Sequence, residues 1–414
     1  MSSEFRKQFW QPPRAHGEVI EDRRVSFLEL FYDLVYVVVI ARAAHTLAED
    51  ITWRTVAEFA VIFGMIWVAW LNGTLYYDLH GREDGRTRTY VFLQMLMLSL
   101  LAVFTGDAAG EGGAAFAAIY TGFLMLLTLF WYSVRRQDSD EYRPVTARYL
   151  SAMVAAVVVV GFSIFMPDES RLYIWGAFVL LWLVAAVLTA RGSELRFELG
   201  VTSTHSTVER FGLFTIIVLG EVVVGVVEGL SNSSRGPLAI VTGMLGLMVG
   251  FAYWWTYFDF VGQRMPAEGA RKLTRWMMGH LPMAMAIAAS GAAMVSLIEH
   301  ATDTRSPAAT AWLLAASVSL GLVALVALMK TLADYDRLPS LYRAVTISIL
   351  IAAVAALVVG WIRPAPWLLT LMLLAILVAV WVSGVNRWLN LANPSDGRAD
   401  AGRSEALPND QAGG

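Results

Sequence analysis

Twelve stretches of this chain are apolar enough and long enough to cross a lipid bilayer, and they leave few folds open to it. They cover approximately residues 27–48, 53–79, 89–106, 114–134, 145–166, 172–190, 207–229, 237–260, 273–299, 308–330, 341–361 and 366–386. A hydrocarbon core of roughly 30 Å takes about 20 helical residues. Backbone polar groups in lipid must be satisfied inside a helix or by a closed barrel. These runs are continuous, rich in Ala, Leu and Val, and lack the two-residue alternation of barrel strands. The expected fold is therefore an all-α membrane protein of about 12 transmembrane helices. Only 16% of residues are charged, against about 25% in soluble domains, which favours the same class. Pro282, inside the ninth run, is expected to kink its helix.

The basic residues test the count, because cytoplasmic loops carry the excess of Lys and Arg. With the N-terminus inside, 25 of the 31 basic residues fall on the cytoplasmic side and 5 outside, with Arg42 alone within a span. A wrong count would scramble this alternation, so both termini are expected to be cytoplasmic in a bacterial plasma membrane. A polar arm of about 25 residues before the first run argues against a cleavable signal peptide. The chain has no cysteine, which excludes disulfides and thiolate metal sites. The segment 391–414 is rich in Gly, Asp, Ser and Pro and reads as a disordered tail.

The first half is echoed in the second. Ser26-Phe27-Leu28-Glu29-Leu30-Phe31 returns as Ser206-Thr207-Val208-Glu209-Arg210-Phe211, an offset of 180; Tyr76-Tyr77-Asp78 returns as Tyr257-Phe258-Asp259, an offset of 181; Pro144 with Arg148 returns as Pro339 with Arg343, an offset of 195. An even number of spans per unit preserves orientation, so the halves are expected to be two parallel six-helix repeats. The resulting division is an arm at 1–25, a first repeat at 26–190, a linker at 191–204, a second repeat at 205–390 and the tail. Helices 1 and 7, equivalent and rich in polar residues, are candidates to line a central pathway.

Charged residues in these spans are the candidate functional groups. Glu29 and Glu209 each follow a serine by three positions, the spacing of a capping box, which is compatible with a further role. Asp33 lies one turn beyond Glu29 on the same face, roughly 9 Å into the first span. Acids at such depth usually face an interior, a partner or a water-filled cavity. Two carboxylates one turn apart are a candidate cation or proton site, since they repel each other when both are ionised. Asp78 and Asp259 end their spans near the starts of the Glu29 and Glu209 helices, and Arg148 and Arg343 start others at that level. Each half could thus hold a Glu–Asp–Arg cluster, either a self-satisfied interfacial network or a gate, with Arg210 and Arg82 as further partners. Arg42 and Glu221 lie toward the outer face. They could pair across the repeat axis, or Arg42 could snorkel. His45 is one turn from Arg42 and is read either as a group that titrates near neutrality or as an interfacial histidine at a span end. Trp67, Trp70, Trp254 and Trp255 fall on equivalent helices, as packing or as an aromatic wall. Asn72, Gln94 and His280 are expected to bond across helices.

No phosphate-binding G-x-x-x-x-G-K-[ST] loop, H-E-x-x-H or G-x-S-x-G sequence occurs, so no nucleotide-driven pump or familiar hydrolase is expected on this chain. No enzyme activity, cofactor, metal or nucleic-acid partner is expected. The expected partners are the lipid bilayer and a small molecule or ion, with oligomeric state open.

Glu29-Leu-Phe-Tyr-Asp33-Leu-Val, Glu209-Arg-Phe-Gly-Leu-Phe-Thr-Ile-Ile-Val-Leu-Gly-Glu221 and Trp254-Trp-Thr-Tyr-Phe-Asp259 resemble the bacterial low temperature requirement A family, over nearly all of the chain from Arg24 to about Asn390. That resemblance implies a multi-pass membrane protein from a family named for growth in the cold, with no established biochemical activity. The expectation is a secondary transporter or permease of unspecified substrate, in which Glu29, Asp33, Arg42 and Glu221 serve the pathway. The alternatives are a non-transporting cold-stress sensor or scaffold, and a lipid-acting membrane enzyme.

Overall fold

A computed structural model of the chain describes residues 9–16, 18, 25–82, 84–191 and 204–392. The expected linker and tail lie almost wholly outside these residues. Twelve α-helices occupy the described chain: α1 (Phe27–Glu49), α2 (Trp53–His80), α3 (Gly85–Thr105), α4 (Gly113–Arg135), α5 (Arg143–Ser163), α6 (Asp168–Arg191), α7 (His205–Asn232), α8 (Pro237–Tyr257), α9 (Ala270–Glu299), α10 (Ala308–Met329), α11 (Pro339–Ile362) and α12 (Pro366–Ala392). A single π-helical turn, Phe258–Gly262, extends α8. The protein is an all-α membrane protein. Eleven helices are long and apolar enough to cross a membrane. The other is α1, whose apolar run is interrupted by Glu29, Asp33 and Arg42. α9 remains helical through Pro282.

Local chemistry starts several helices. The side chains of Ser26, Thr52, Asp84 and Thr204 accept from the backbone N–H groups of Glu29, Thr55, Thr87 and Thr207, satisfying donors that an N-terminus leaves free. Proline opens the first turns of α5, α8 and α11, where its missing N–H costs nothing.

Contacts between connections place the helix ends on two sides. On the side where α1 begins (the terminal side), the backbone of Arg14 bonds His80 and the loops after α8 and α10 pair through Ala267 N to Thr331 O and Ala333 N to Met265 O. On the far side, Thr46 donates to the carbonyl of Gly106, Asn232 to Glu299, and Ser306 to the carbonyl of Pro364.

In each half, the first helix packs on the second and third, the third on the fourth, the fourth on the fifth, the fifth on the sixth, and the sixth back on the second. The halves meet where α1 packs on α7 and where α9 packs on α1, α2 and α6. α9 is the most buried span. Its small residues, among them Ala284, Ala288, Gly291 and Ala292, allow close approach. At its crossing with α7, a Cβ on Gly225 would stand 2.1 Å from the carbonyl oxygen of Gly291, and a Cβ on Gly291 would stand 2.4 Å from that of Glu221. Backbone touches backbone there.

The N-terminal arm packs onto the terminal side. Arg14, buried, donates to the carbonyl oxygens of Asp78 at 2.7 Å and Gly81 at 2.9 Å, at the end of α2. His16 Nδ1 lies 2.7 Å from Asp138 Oδ1, between α4 and α5.

Candidate functional site

The seam between α1 and α7 holds the most concentrated buried charge. Arg210, on the second turn of α7, is fully enclosed. Its Nη2 donates to Asp33 Oδ1 at 2.9 Å, and its Nη1 stands 3.3 Å from Glu29 Oε2. Trp70 on α2 donates its indole N–H to the same Asp33 oxygen at 2.9 Å. One guanidinium therefore serves two carboxylates one helical turn apart, and three helices meet at Asp33. The rings of Trp67 and Trp70 pack against Phe211 and Phe214, so aromatic carbon covers the pair and water is kept from it. Asp78 holds the start of α7 in place. Its carboxylate accepts from the hydroxyls of Thr204, Ser206 and Thr207, the Ser206 bond being 2.6 Å. A carboxylate at a helix N-terminus also opposes the positive end of the helix dipole.

A second charged contact joins the same helices at the far side. His45 Nδ1 on α1 lies 2.8 Å from Glu228 Oε1 on α7, and His45 Nε2 lies 3.3 Å from Glu49 Oε1. Arg210 and Glu228 are separated by about 27 Å of helix rise, close to the roughly 30 Å of a hydrocarbon core. The two contacts thus act as a terminal-side clasp and a far-side clasp on one seam.

Glu221 lies between them. Arg210, Phe214, Ile217, Glu221, Gly225 and Glu228 recur at the three- and four-residue spacing of a single helix face. Glu221 is 3% exposed, and its Oε1 has no hydrogen-bond partner among the described residues. The cavity among α6, α9 and α10, about 500 Å³ and lined by apolar residues such as Leu183, Met278, Pro282 and Leu320, lies away from this seam.

The family model for the bacterial low temperature requirement A protein (LtrA) matches residues 24–384. The chain belongs to the LtrA family. It is also similar to the uncharacterized protein RA0937 of Rhizobium meliloti strain 1021, with 25% identity over 289 residues, covering 64% of this chain and 68% of that one. No solved structure matches it. The LtrA match takes in both clasps and Glu221.

Within this LtrA protein the expected Arg42–Glu221 pair is not made. Arg42 is exposed, its guanidinium beside Gly106 at the end of α3. The two residues sit at similar heights but on different sides of their helices. The expected Glu–Asp–Arg clusters are also not assembled. Arg148, Glu209 and Arg343 are exposed with no ion pair among the described residues. Asp78 goes to the α7 hydroxyls, and Asp259 accepts from the Trp381 indole at 2.6 Å. Arg82 pairs with Glu18 of the arm. Arg210 joins Asp33 and Glu29 instead. Ser26 caps α1 as expected, but Thr204 rather than Ser206 caps α7, since that helix begins two residues earlier. Trp67 and Trp70 are buried packing, whereas Trp254 and Trp255 are 39% and 44% exposed, so no shared aromatic wall forms. The cross-helix bonds are present: Tyr149 donates to Asn72, Tyr77 to Gln94 at 2.7 Å, and Tyr257 pairs with His280 at 2.9 Å. Glu228 escaped the sequence reading. Its seven-residue spacing from Glu221 on an apolar helix was the available signal.

Proposed function

We propose that this LtrA-family protein is a secondary transporter or permease whose pathway is the α1–α7 seam, and that it is not itself an enzyme. The observation that carries the reading is the pair of charged clasps bridging the same two helices near opposite membrane faces. Alternating access needs two barriers that open in turn around a central region. Clasps made of a few close charged contacts are discrete and breakable. In this reading both are closed, the terminal side is cytoplasmic as the arginine distribution indicates, and Asp33 and Glu29 hold the inner barrier.

Two six-helix repeats are part of the proposal. The matching order of helix packing in the two halves supports them. So does the π-helical turn, because an inserted residue at Phe258–Gly262 accounts for an offset of 181 at Asp78 and Asp259. Before it, Tyr257 corresponds to Tyr77 at 180 instead of to Tyr76 at 181, and each of Tyr77 and Tyr257 reaches a polar residue on the following helix.

The test uses the chain's lack of cysteine. A cysteine placed at Ile217, in mid-seam, is expected to react with a membrane-impermeant thiol reagent from either face of oriented vesicles. Cross-linking cysteines at His45 and Glu228 should abolish labelling from the far side alone. An Ile217→Cys protein that reacts from one face only, or from neither, removes the alternating pathway and favours the sensor or scaffold.

A further inference from the structure

We propose that Glu221 is a proton-binding site, taking up and releasing one H⁺ in the α1–α7 seam between the two clasps. Its role in coupling rests on the transport reading; the site itself rests on geometry. A carboxylate in a low-dielectric interior is costly unless something compensates its charge. Glu29 and Asp33 share Arg210, and Asp78 has three hydroxyls. Glu221 has a buried oxygen with no partner among the described residues.

The surroundings decide which ligand it can take. The positions one turn away on α7 are Ile217, Val218, Val224 and Gly225, none with a side-chain oxygen. At this height α1 runs Val37-Val38-Val39-Ile40-Ala41, and α9 presents the backbone of Gly291. A metal cation needs several oxygens around it, whereas a proton needs only the carboxylate. Every titratable or charged group on the elements packed against α7 is distant along the helix axes, already engaged or, for Arg42, on another side of its helix. On α1, Asp33 and Glu29 hold Arg210, the hydroxyls of Tyr32 and Tyr36 bond each other, His45 and Glu49 form the far clasp, and Arg42 lies beside Gly106. On α2, Glu58 pairs with Arg54, Asp78 caps α7, Tyr77 bonds Gln94 and His80 bonds the carbonyl of Arg14, while Tyr76 receives a bond from Arg86. On α8 and its π-helical turn, Tyr253 bonds Ser290, Tyr257 bonds His280 and Asp259 bonds Trp381. On α9, Arg271, Lys272 and Arg275 lie in the first turns and His280 bonds Tyr257, while at the other end Glu299 accepts from Asn232. On α7 itself His205 and Glu209 are exposed near the helix start, Arg210 is clasped, and Glu228 stands about 10 Å of helix rise outward on the face of Glu221. Glu228, His45 and Glu49 are partly exposed. Water at the far face, admitted when that clasp opens, gives up the proton that forms the O–H bond on Glu221 and receives it again on release.

Infrared difference spectroscopy on the full-length protein in lipid nanodiscs tests the site without any transported solute, using acid–base titration in H₂O and D₂O as the probe. The expected result is a slowly exchanging carbonyl-stretch band of a protonated carboxyl that appears and disappears reversibly, persists in Asp33→Asn and Glu29→Gln, and is lost in Glu221→Gln. An unchanged band in Glu221→Gln, or its loss in Asp33→Asn, overturns the proposal. If Glu221→Gln does not fold, ¹³C-carboxyl glutamate in the wild-type chain must shift the band and labelled aspartate must not; the reverse overturns it. The band present without two-sided labelling at Ile217→Cys defeats transport alone. Two-sided labelling without the band defeats the proton site alone.

Discussion

Arg210 shows what a single residue can contribute. An enclosed guanidinium is tolerated because Asp33 and Glu29 compensate it, and removing one member of such a set leaves uncompensated charge in the interior. Arg210→Leu alone is expected to destabilise the protein by about 3–5 kcal/mol, as is typical for breaking a buried ion pair. Adding Asp33→Leu to that variant should recover part of the loss, giving a coupling energy clear of zero in a double-mutant cycle by equilibrium unfolding in mixed micelles. Asp33 was legible in the sequence because an acid one turn past Glu29 in an apolar run is hard to place in lipid. Arg210 was legible only as a further partner of the helix-end clusters, and its pairing with Asp33 was not, because an arginine near the start of a helix has several acids within reach. The Arg42–Glu221 mismatch has the same origin: sequence gives height along a helix well and rotation about its axis poorly.

At the level of elements, the contact between α7 and α9 rests on missing side chains. Gly225→Ala puts a methyl group where the Gly291 carbonyl stands, 2.1 Å away, so the helices must separate. A loss of about 1–3 kcal/mol, the usual range for overpacking, is expected as a lowered Tm in detergent. Gly220→Ala, on the same helix with nothing within 4 Å, should leave Tm unchanged. The existence of the helices was legible from apolar run length. Their starts were less so: α3 begins at Gly85 and α6 at Asp168, each four residues before the apolar run, because the polar first turns carry no hydropathy signal. The pairing of α7 with α9 was hidden, since Gly225 and Gly229 look like any small residues until a partner backbone is found against them. The arm, read only as a source of positive charge, supplies Arg14 as a cap on the α2 carbonyls, a role that its composition does not announce.

Across the whole molecule, the two halves depend on each other. α1 belongs to the first half by sequence, but its charge is compensated by the second. Residues 1–200 expressed alone are therefore expected to be scarce in membranes by immunoblot, and co-expression of residues 201–414 should restore them; equal abundance without the second half would contradict this. The same dependence has a consequence for biogenesis. Asp33 and the arginine that neutralises it are 177 residues apart in the chain. At synthesis rates of about 5–20 residues per second, roughly 9–35 s pass between the emergence of one and the other. Throughout that interval Asp33 has no counter-charge beside it to take into lipid, since Arg42, the basic residue of its own helix, lies nine positions along the chain. The insertion machinery, or water beside it, must shelter α1 until α7 arrives, so that the first helix made is among the last to reach its final place.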